Sequence, residues 1–117
     1  MNTEVVERDG VRIVRCTEEI GRVDDAVELI SACFEASSRR LLIESRYLPE
    51  VFFDLSTRFA GEFLQKLQNY RIRIAITIDA SSEHSDRFKE FLAEAKGGKA
   101  FRAFEDMDEA EKWLCSE

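Results

Sequence analysis

Alternating apolar and polar residues near the start of the chain predict two β-strands joined by a tight turn. The strand-like segments are residues 4–8 and 11–16. Asp9 and Gly10 lie between them, and an Asp-Gly pair favours a two-residue hairpin because both positions of such a turn need a positive φ. The sequence therefore predicts an N-terminal β-hairpin.

Three later segments repeat their apolar residues every three or four positions, which is typical of a helix with one buried face. They are residues 23–36, residues 85–96 and the segment that follows Asp106. Asp106 and Glu109 are spaced as in a variant of the capping box, so we expect Asp106 to cap the last helix.

Three further segments predict strands. Residues 40–44 contain a short, continuous apolar run, which suits a strand that is buried on both faces. Residues 72–78 are rich in β-branched side chains, which favour extended backbone. Residues 100–104 form the last segment of this kind.

A fourth helical segment precedes residues 72–78 and ends near Tyr70, but its first residue is open to two interpretations. Pro49 suits the first position of a helix, and apolar residues continue from there at helical spacing. Alternatively, residues 47–54 form a turn and the helix begins near Ser56. The sequence alone does not decide between these starts.

The order of these elements is β-β-α-β-α-β-α-β-α. Alternation of strands and helices predicts an α/β fold with a mixed, mostly parallel sheet, an N-terminal hairpin and helices packed against the sheet. The chain of 117 residues has the size of one domain, and its only proline is Pro49. We therefore interpret residues 1–117 as a single domain.

Charge and hydropathy narrow the classes of function. A formal net charge of −7 argues against nucleic-acid binding, which needs cationic side chains that neutralise phosphates, and against attachment to anionic membranes. The apolar runs are far shorter than the ~20 residues that span a membrane. Residues 1–4 do not begin a signal peptide, so we expect a cytoplasmic protein.

The chain has three cysteines, Cys16, Cys33 and Cys115. Their number is odd and no two of them have the Cys-x-x-Cys spacing, so neither a zinc site nor a disulfide framework is expected. No other metal site or cofactor is expected either. We interpret Cys16 and Cys33 as small, buried, apolar side chains. Cys115 lies near the end of the sequence and is expected to be exposed.

Candidate catalytic residues are few. His84 is the only histidine and lies in a polar segment, where an exposed loop position is expected. Neither a catalytic triad nor a glycine-rich phosphate loop can be argued from the spacing. Glu44 and Asp79 follow two predicted strands, so with His84 they could line a crevice at the strand ends. The alternative is that these polar residues form turns and caps.

The segment Asp54-Leu55-Ser56-Thr57 suggests a different kind of site. A serine or threonine at a helix N-terminus accepts hydrogen bonds from free N–H groups, and the same position favours a phosphate. Phosphorylation there would add about two negative charges and could switch a protein–protein contact. This hypothesis requires that the helix begin at Ser56 rather than at Pro49.

The same part of the chain resembles an uncharacterised bacterial family, domain of unknown function 4180. The residues that carry the resemblance are Phe52-Phe53-Asp54-Leu55-Ser56-Thr57, Ala60-Gly61-Glu62, Leu64-Gln65-Lys66, Asn69-Tyr70-Arg71 and Ile74-Ala75-Ile76, with a weaker likeness at Asp9-Gly10-Val11, Phe88-Lys89-Glu90-Phe91 and residues 105–110. The family usually has glycine where this chain has Arg58. Because the family has no established activity, the resemblance implies no reaction.

A looser resemblance is to the fold of sulfate-transporter and anti-sigma-factor-antagonist (STAS) domains. These domains carry an Asp-Ser-(Ser/Thr)-Gly-Leu-Gly segment at the start of a helix after a central strand. Residues 54–61 are similar, with an additional leucine and without the first glycine. In the switch members a partner kinase phosphorylates the serine, so the resemblance implies that Ser56 or Thr57 accepts a phosphate.

Three functions compete at this point. The favoured one is a non-enzymatic regulatory module of STAS-like type that binds a protein partner through Asp54–Arg58. The second is a small-molecule or metal-binding domain, or a minor enzyme, that uses a crevice at Glu44, Asp79 and His84. The third is a self-associating structural protein, because nine phenylalanines in 117 residues are many for one core and some could form a homodimer interface.

Overall fold

The computed structural model describes residues 1–79 and 83–116. Five strands and four helices follow one another in this part of the chain. Their bounds are β1 Thr3–Arg8, β2 Val11–Cys16, α1 Asp25–Glu35, β3 Arg40–Glu44, α2 Phe59–Gln68, β4 Arg73–Thr77, α3 Asp86–Lys96, β5 Phe101–Phe104 and α4 Met107–Cys115. Three short 3-10 turns, Ser45–Tyr47, Glu50–Phe53 and Leu55–Thr57, connect β3 to α2.

The strands form one sheet in the order β1-β2-β3-β4-β5, which is also their order along the chain. β1 pairs with β2 antiparallel, and the other three pairs are parallel, for example with Leu42 opposite Ala75. Asp9 and Gly10 have φ values of 53° and 79°, the positive values that the hairpin turn requires. The predicted α/β fold, with a mostly parallel sheet and an N-terminal hairpin, is confirmed.

Side chains of the central strands alternate between two apolar layers. On one face, α1, α2 and α3 cover fully buried strand residues such as Leu41 and Ile74. On the other face, α4 places Ala110 and Leu114 against Leu42. Within the described ranges, none of the helices has the length and hydropathy needed to cross a membrane.

Because β2 to β5 are parallel, the sheet has one side at which these strands begin and an opposite side at which they end. The word edge refers here to these two sides and not to the outer strands β1 and β5. β2 to β5 all begin at one edge, which we call the amino edge, and the helices that follow them end there. The strands end at the opposite edge, which we call the carboxyl edge. The three 3-10 turns lie at the carboxyl edge because they follow β3 directly.

α2 begins at Phe59, later in the chain than either predicted start. Pro49 has a ψ of 158°, which is extended backbone, and it precedes a 3-10 turn instead of an α-helix. Ser56 lies inside another 3-10 turn, and Arg58 has a φ of 65°, a left-handed conformation that interrupts the helical backbone. The start at Pro49 is therefore wrong. The structure is closer to the alternative, since residues 47–54 do not belong to the α-helix and α2 begins three residues after Ser56.

The environments of two of the three cysteines agree with the predictions made from the sequence. Cys16 and Cys33 are buried, and burial raises the pKa of the Cys33 thiol to about 11. Cys115 is half-buried, and its Sγ donates to the carbonyl of Arg8 at 3.5 Å. The expectation that Cys115 is exposed is wrong, because the last turn of α4 packs against the end of β1.

Candidate functional site

Asp54 organises the turn that precedes α2. Its carboxylate accepts hydrogen bonds from the Ser56 hydroxyl at 2.6 Å and from the Ser56 N–H at 3.0 Å. These hydrogen bonds lower the pKa of Asp54 below its ordinary value of 3.8, and the nearby positive charge of Arg87 lowers it further. Near neutral pH the Asp54 carboxylate is therefore ionised and holds the Ser56 side chain in place.

The hydroxyl groups of Ser56 and Thr57 have different roles. Thr57 Oγ1 lies 2.7 Å from the carbonyl oxygen of Val51 and 2.8 Å from that of Asp54, and it accepts the N–H of Phe59 at 3.2 Å. Thr57 therefore closes the turn and caps the start of α2. Ser56 is exposed, and within the described residues its hydroxyl hydrogen-bonds to Asp54 alone.

Arg58 adopts a backbone conformation that favours glycine. Its φ of 65° and ψ of 3° place it in the left-handed region, where a residue with a Cβ is disfavoured by about 1–2 kcal/mol. The resemblance described from the sequence implies a glycine here; the backbone conformation that suits glycine is present, although the residue is arginine. The Arg58 side chain is exposed, and it has no ion-pair partner among the described residues.

Glu44 and Asp79 lie at the carboxyl edge and line one shallow hollow of about 460 Å³. Glu44 forms ion pairs with Arg46 at 2.8 Å and with Arg15 on β2 at 3.6 Å. Two cations therefore already balance its carboxylate, and one of these pairs ties β3 to β2. Asp79 is exposed two residues after β4.

His84 lies outside the helices and strands, as expected, but it is half-buried, so the expectation that it is exposed is wrong. Its ring stacks on Phe53 with centroids 5.2 Å apart and lies 5.3 Å from the ring of Phe88. Nε2 is buried and has no hydrogen-bond partner in the part of the chain that the structure describes. His84 lines a hollow of about 540 Å³ with Asp79, and Glu44 does not border that hollow.

The hollow beside Glu44 and the hollow beside His84 adjoin, because Ser45, Arg46 and Asp79 line both. Ligand crevices in open α/β sheets form where the strand order reverses, so that neighbouring connections diverge to opposite faces. Here the strands follow chain order, so the order does not reverse, although the connections after β4 and β5 lead to helices on opposite faces. Within residues 1–79 and 83–116, no three His, Cys, Asp or Glu side chains are grouped closely enough to bind a metal ion.

Two features, one contact and one glycine position, were not anticipated as parts of a site. Phe53 stacks on His84, whereas its neighbour Phe52 is fully buried. The adjacent pair of aromatic residues was the signal, because two consecutive side chains of a turn seldom point into the same core. Gly61 lies inside α2, and a glycine within a helical pattern is itself a signal for a packing or functional requirement.

The matched family includes all of these residues. The family model described as Domain of unknown function (DUF4180) matches residues 8–114. The comparison with curated proteins finds no match. Because the matched range covers nearly the whole sequence, this chain belongs to the DUF4180 family.

Proposed function

We propose that this chain is a non-enzymatic regulatory module of STAS-like type, which binds a protein partner through Asp54–Arg58 and is switched by phosphorylation of Ser56. α2 begins at Phe59, so Ser56 does not stand at the helix N-terminus, and the support for a phosphate that the sequence suggested from that position is absent. The observation that carries the proposal is instead the exposed Ser56 hydroxyl, held 2.6 Å from the Asp54 carboxylate. A phosphate on Ser56 could not keep this hydrogen bond, because the phosphate and the carboxylate are both negative. Modification would therefore change the shape and the charge of the segment together.

The charges near Ser56 define two positions for its side chain, one in the unmodified state and one in the phosphorylated state. Arg58 lies two residues away, and Arg87 is close enough to lower the pKa of Asp54. Either guanidinium can donate charge-assisted hydrogen bonds to a phosphate. In the unmodified state Ser56 is bound to Asp54, and in the modified state repulsion from Asp54 and attraction to the arginines move it away. A partner that recognises one position is released by the other.

Thr57 is the less suitable phosphate acceptor. Its hydroxyl contacts two carbonyl groups of the turn and caps the first turn of α2. Modification would remove that cap, at a cost of about 1 kcal/mol in folding stability. Ser56 can be modified without losing a contact on which α2 depends.

Phosphoserine incorporated biosynthetically at position 56 tests the proposal. The unmodified chain, the phosphorylated chain and Ser56→Ala are each used to capture proteins from a lysate of the native cells, and recovery is measured by quantitative mass spectrometry. We expect a protein whose recovery differs about tenfold between the unmodified and phosphorylated chains, the equivalent of ~1.4 kcal/mol. Phosphopeptide mapping of the chain purified from the same cells is expected to find the phosphate on Ser56.

The matched control is phosphoserine at position 31. Ser31 is an exposed serine on α1, so its phosphorylation adds the same charge to a different part of the surface. Recovery that is identical for all forms of Ser56, or that changes equally with phosphoserine at position 31, would rule out the proposed switch.

A further inference from the structure

A groove runs between α2 and α3 on the face of the sheet that these helices cover. Two adjoining hollows of about 400 Å³ and 350 Å³ form it, and both are lined by Gln68, Lys99 and Ala100. The first hollow extends between the helices to Gly61. The second opens at the amino edge beside Arg71. Volumes of this size lie in the range of small-molecule sites.

The floor of the groove is apolar, and its inner end is open. Leu64 and Phe101 line it and are each 3% exposed. A Cβ added at Gly61 would meet no atom within 4 Å. Gly61 does not have a positive φ, and glycine is a poor helix former. Neither the backbone nor close packing therefore requires a glycine at this position of α2, and the absence of a side chain there leaves the groove open.

The end of the groove at the amino edge is cationic. Arg71, Arg73 and Lys99 line it, and within the described residues none of the three forms an ion pair with a carboxylate. Arg73 is already engaged, because it donates to the carbonyl of Lys99 at 3.1 Å and lies 4.3 Å from the ring centre of Trp113. Arg71 and Lys99 are exposed and are the cations available to a ligand.

We propose that this groove binds a linear carboxylic acid with an apolar chain. The apolar chain lies on Leu64 and Phe101, and the carboxylate is held at the amino edge by Arg71 and Lys99. Charge complementarity favours an anionic head group, because these cations lack acidic partners among the described residues although the chain carries a net charge of −7. Glu94 also lines the groove, and its negative charge opposes such a ligand.

Isothermal titration calorimetry with straight-chain carboxylates, used below their critical micelle concentrations, tests the ligand class. We expect the Kd to tighten about fourfold with each methylene that enters the groove, and to level off once the groove is filled. Decanol, which has the same chain without the charge, is expected to bind about tenfold more weakly than decanoate. No binding of any carboxylate, or equal Kd values for decanol and decanoate, would overturn the proposal.

Variants of the groove test its location. Gly61→Leu fills the open end while improving helix propensity, so we expect decanoate to bind at least about tenfold more weakly with no loss of Tm. Lys99→Gln and Arg71→Asn are each expected to weaken decanoate about threefold. Asparagine is chosen because Arg71 has a φ of 59°, which asparagine tolerates. Glu94→Gln is expected to tighten binding.

Arg22→Gln is the matched control for the loss of one positive charge. Arg22 is an exposed cation before α1, away from the amino edge, and its substitution is expected to leave the Kd for decanoate unchanged. Undiminished binding by a folded Gly61→Leu chain would overturn the proposal. So would an equal loss of affinity in Arg22→Gln and Lys99→Gln.

Discussion

The backbone of Arg58 and its side chain have different requirements. The left-handed φ of 65° disfavours any residue with a Cβ, whereas the exposed guanidinium is suited to attract a phosphate. Arg58→Gly removes the backbone strain but adds freedom to the unfolded chain. We expect a net gain of about 0.5–1 kcal/mol in the free energy of unfolding, and a Tm that rises by roughly 2–6 °C.

Arg58→Ala is the control that separates the backbone from the side chain. Alanine keeps the Cβ and therefore the strain. The free energy of unfolding of Arg58→Ala, measured in urea, is therefore expected to stay within ~0.5 kcal/mol of that of the chain with Arg58. If alanine stabilised the chain as much as glycine, the effect would come from loss of the guanidinium and not from the backbone.

The pKa of Asp54 reports directly on the contact with Ser56. Hydrogen bonds from the Ser56 hydroxyl and N–H lower this pKa below 3.8. Ser56→Ala removes the hydroxyl and leaves the N–H, so the pKa of Asp54 is expected to rise toward its ordinary value. NMR titration of the Asp54 carboxyl group measures the change, with Ser31→Ala as the control that leaves it unaltered.

The same lowered pKa determines how Asp54 affects stability as a function of pH. Because the pKa of Asp54 is lower in the folded chain than in the unfolded chain, Asp54 stabilises the fold at pH values above its pKa in the unfolded chain. That contribution is lost as the pH falls through the lowered pKa. Between pH 5 and about pH 3 the free energy of unfolding should therefore fall less in Ser56→Ala than in the unmodified chain. A steeper fall in the variant would contradict the assignment.

At the scale of elements, the segment between β3 and α2 shows what the sequence could and could not predict. Every strand and helix was predicted from a local sequence pattern, such as the spacing of apolar residues, because such patterns depend on local geometry alone. The apolar residues after Pro49 also have helical spacing, yet they lie in 3-10 turns. Their conformation depends on where Phe52 is buried, which is a contact with distant residues that local spacing does not contain.

Phe52 is the side chain that holds these turns against the helices. It is fully buried, and its ring lies between 6.1 and 6.4 Å from those of Phe59, Phe63 and Phe88. We expect Phe52→Ala to lower the free energy of unfolding by about 3–5 kcal/mol, as measured by urea denaturation. Val51→Ala is the neighbouring control: its side chain is 42% exposed, and it should cost at most ~0.5 kcal/mol.

A comparable loss in both variants would contradict this role of Phe52.

The candidate crevice illustrates the same limit of local spacing. The positions of Glu44 and Asp79 at strand ends followed from the predicted strands, whereas the burial of His84 depends on Phe53 and Phe88, which belong to other elements. The burial of His84 could therefore not be predicted from the residues that are close to it in the sequence.

At the scale of the whole molecule, arginines that look scattered in the sequence gather at the amino edge. Arg12, Arg40 and Arg102, all on strands, donate to the carbonyl groups of Ala36, Leu114 and Lys96, at the ends of α1, α4 and α3. Cations stabilise the negative ends of helix dipoles. This arrangement places positive charge at one edge of a molecule whose net charge is negative.

The phenylalanine content gives little support to a homodimer. Of the nine phenylalanines, only Phe34 is exposed, and the others are buried or half-buried in the fold. Phe34 contacts Tyr70 edge-on with ring centroids 5.8 Å apart, and both side chains are about half exposed. A homodimer whose interface includes some of the phenylalanines stays a prediction.

Because strand order equals chain order, synthesis on the ribosome can build the sheet progressively. Each strand made after β1 pairs with the strand made just before it, so the nascent sheet grows without waiting for distant segments. α4 is different, since it covers β2 to β5 on the second face, and Asp108 pairs with Arg8, which was made 100 residues earlier. Until α4 emerges, that apolar face is exposed to chaperones and to aggregation.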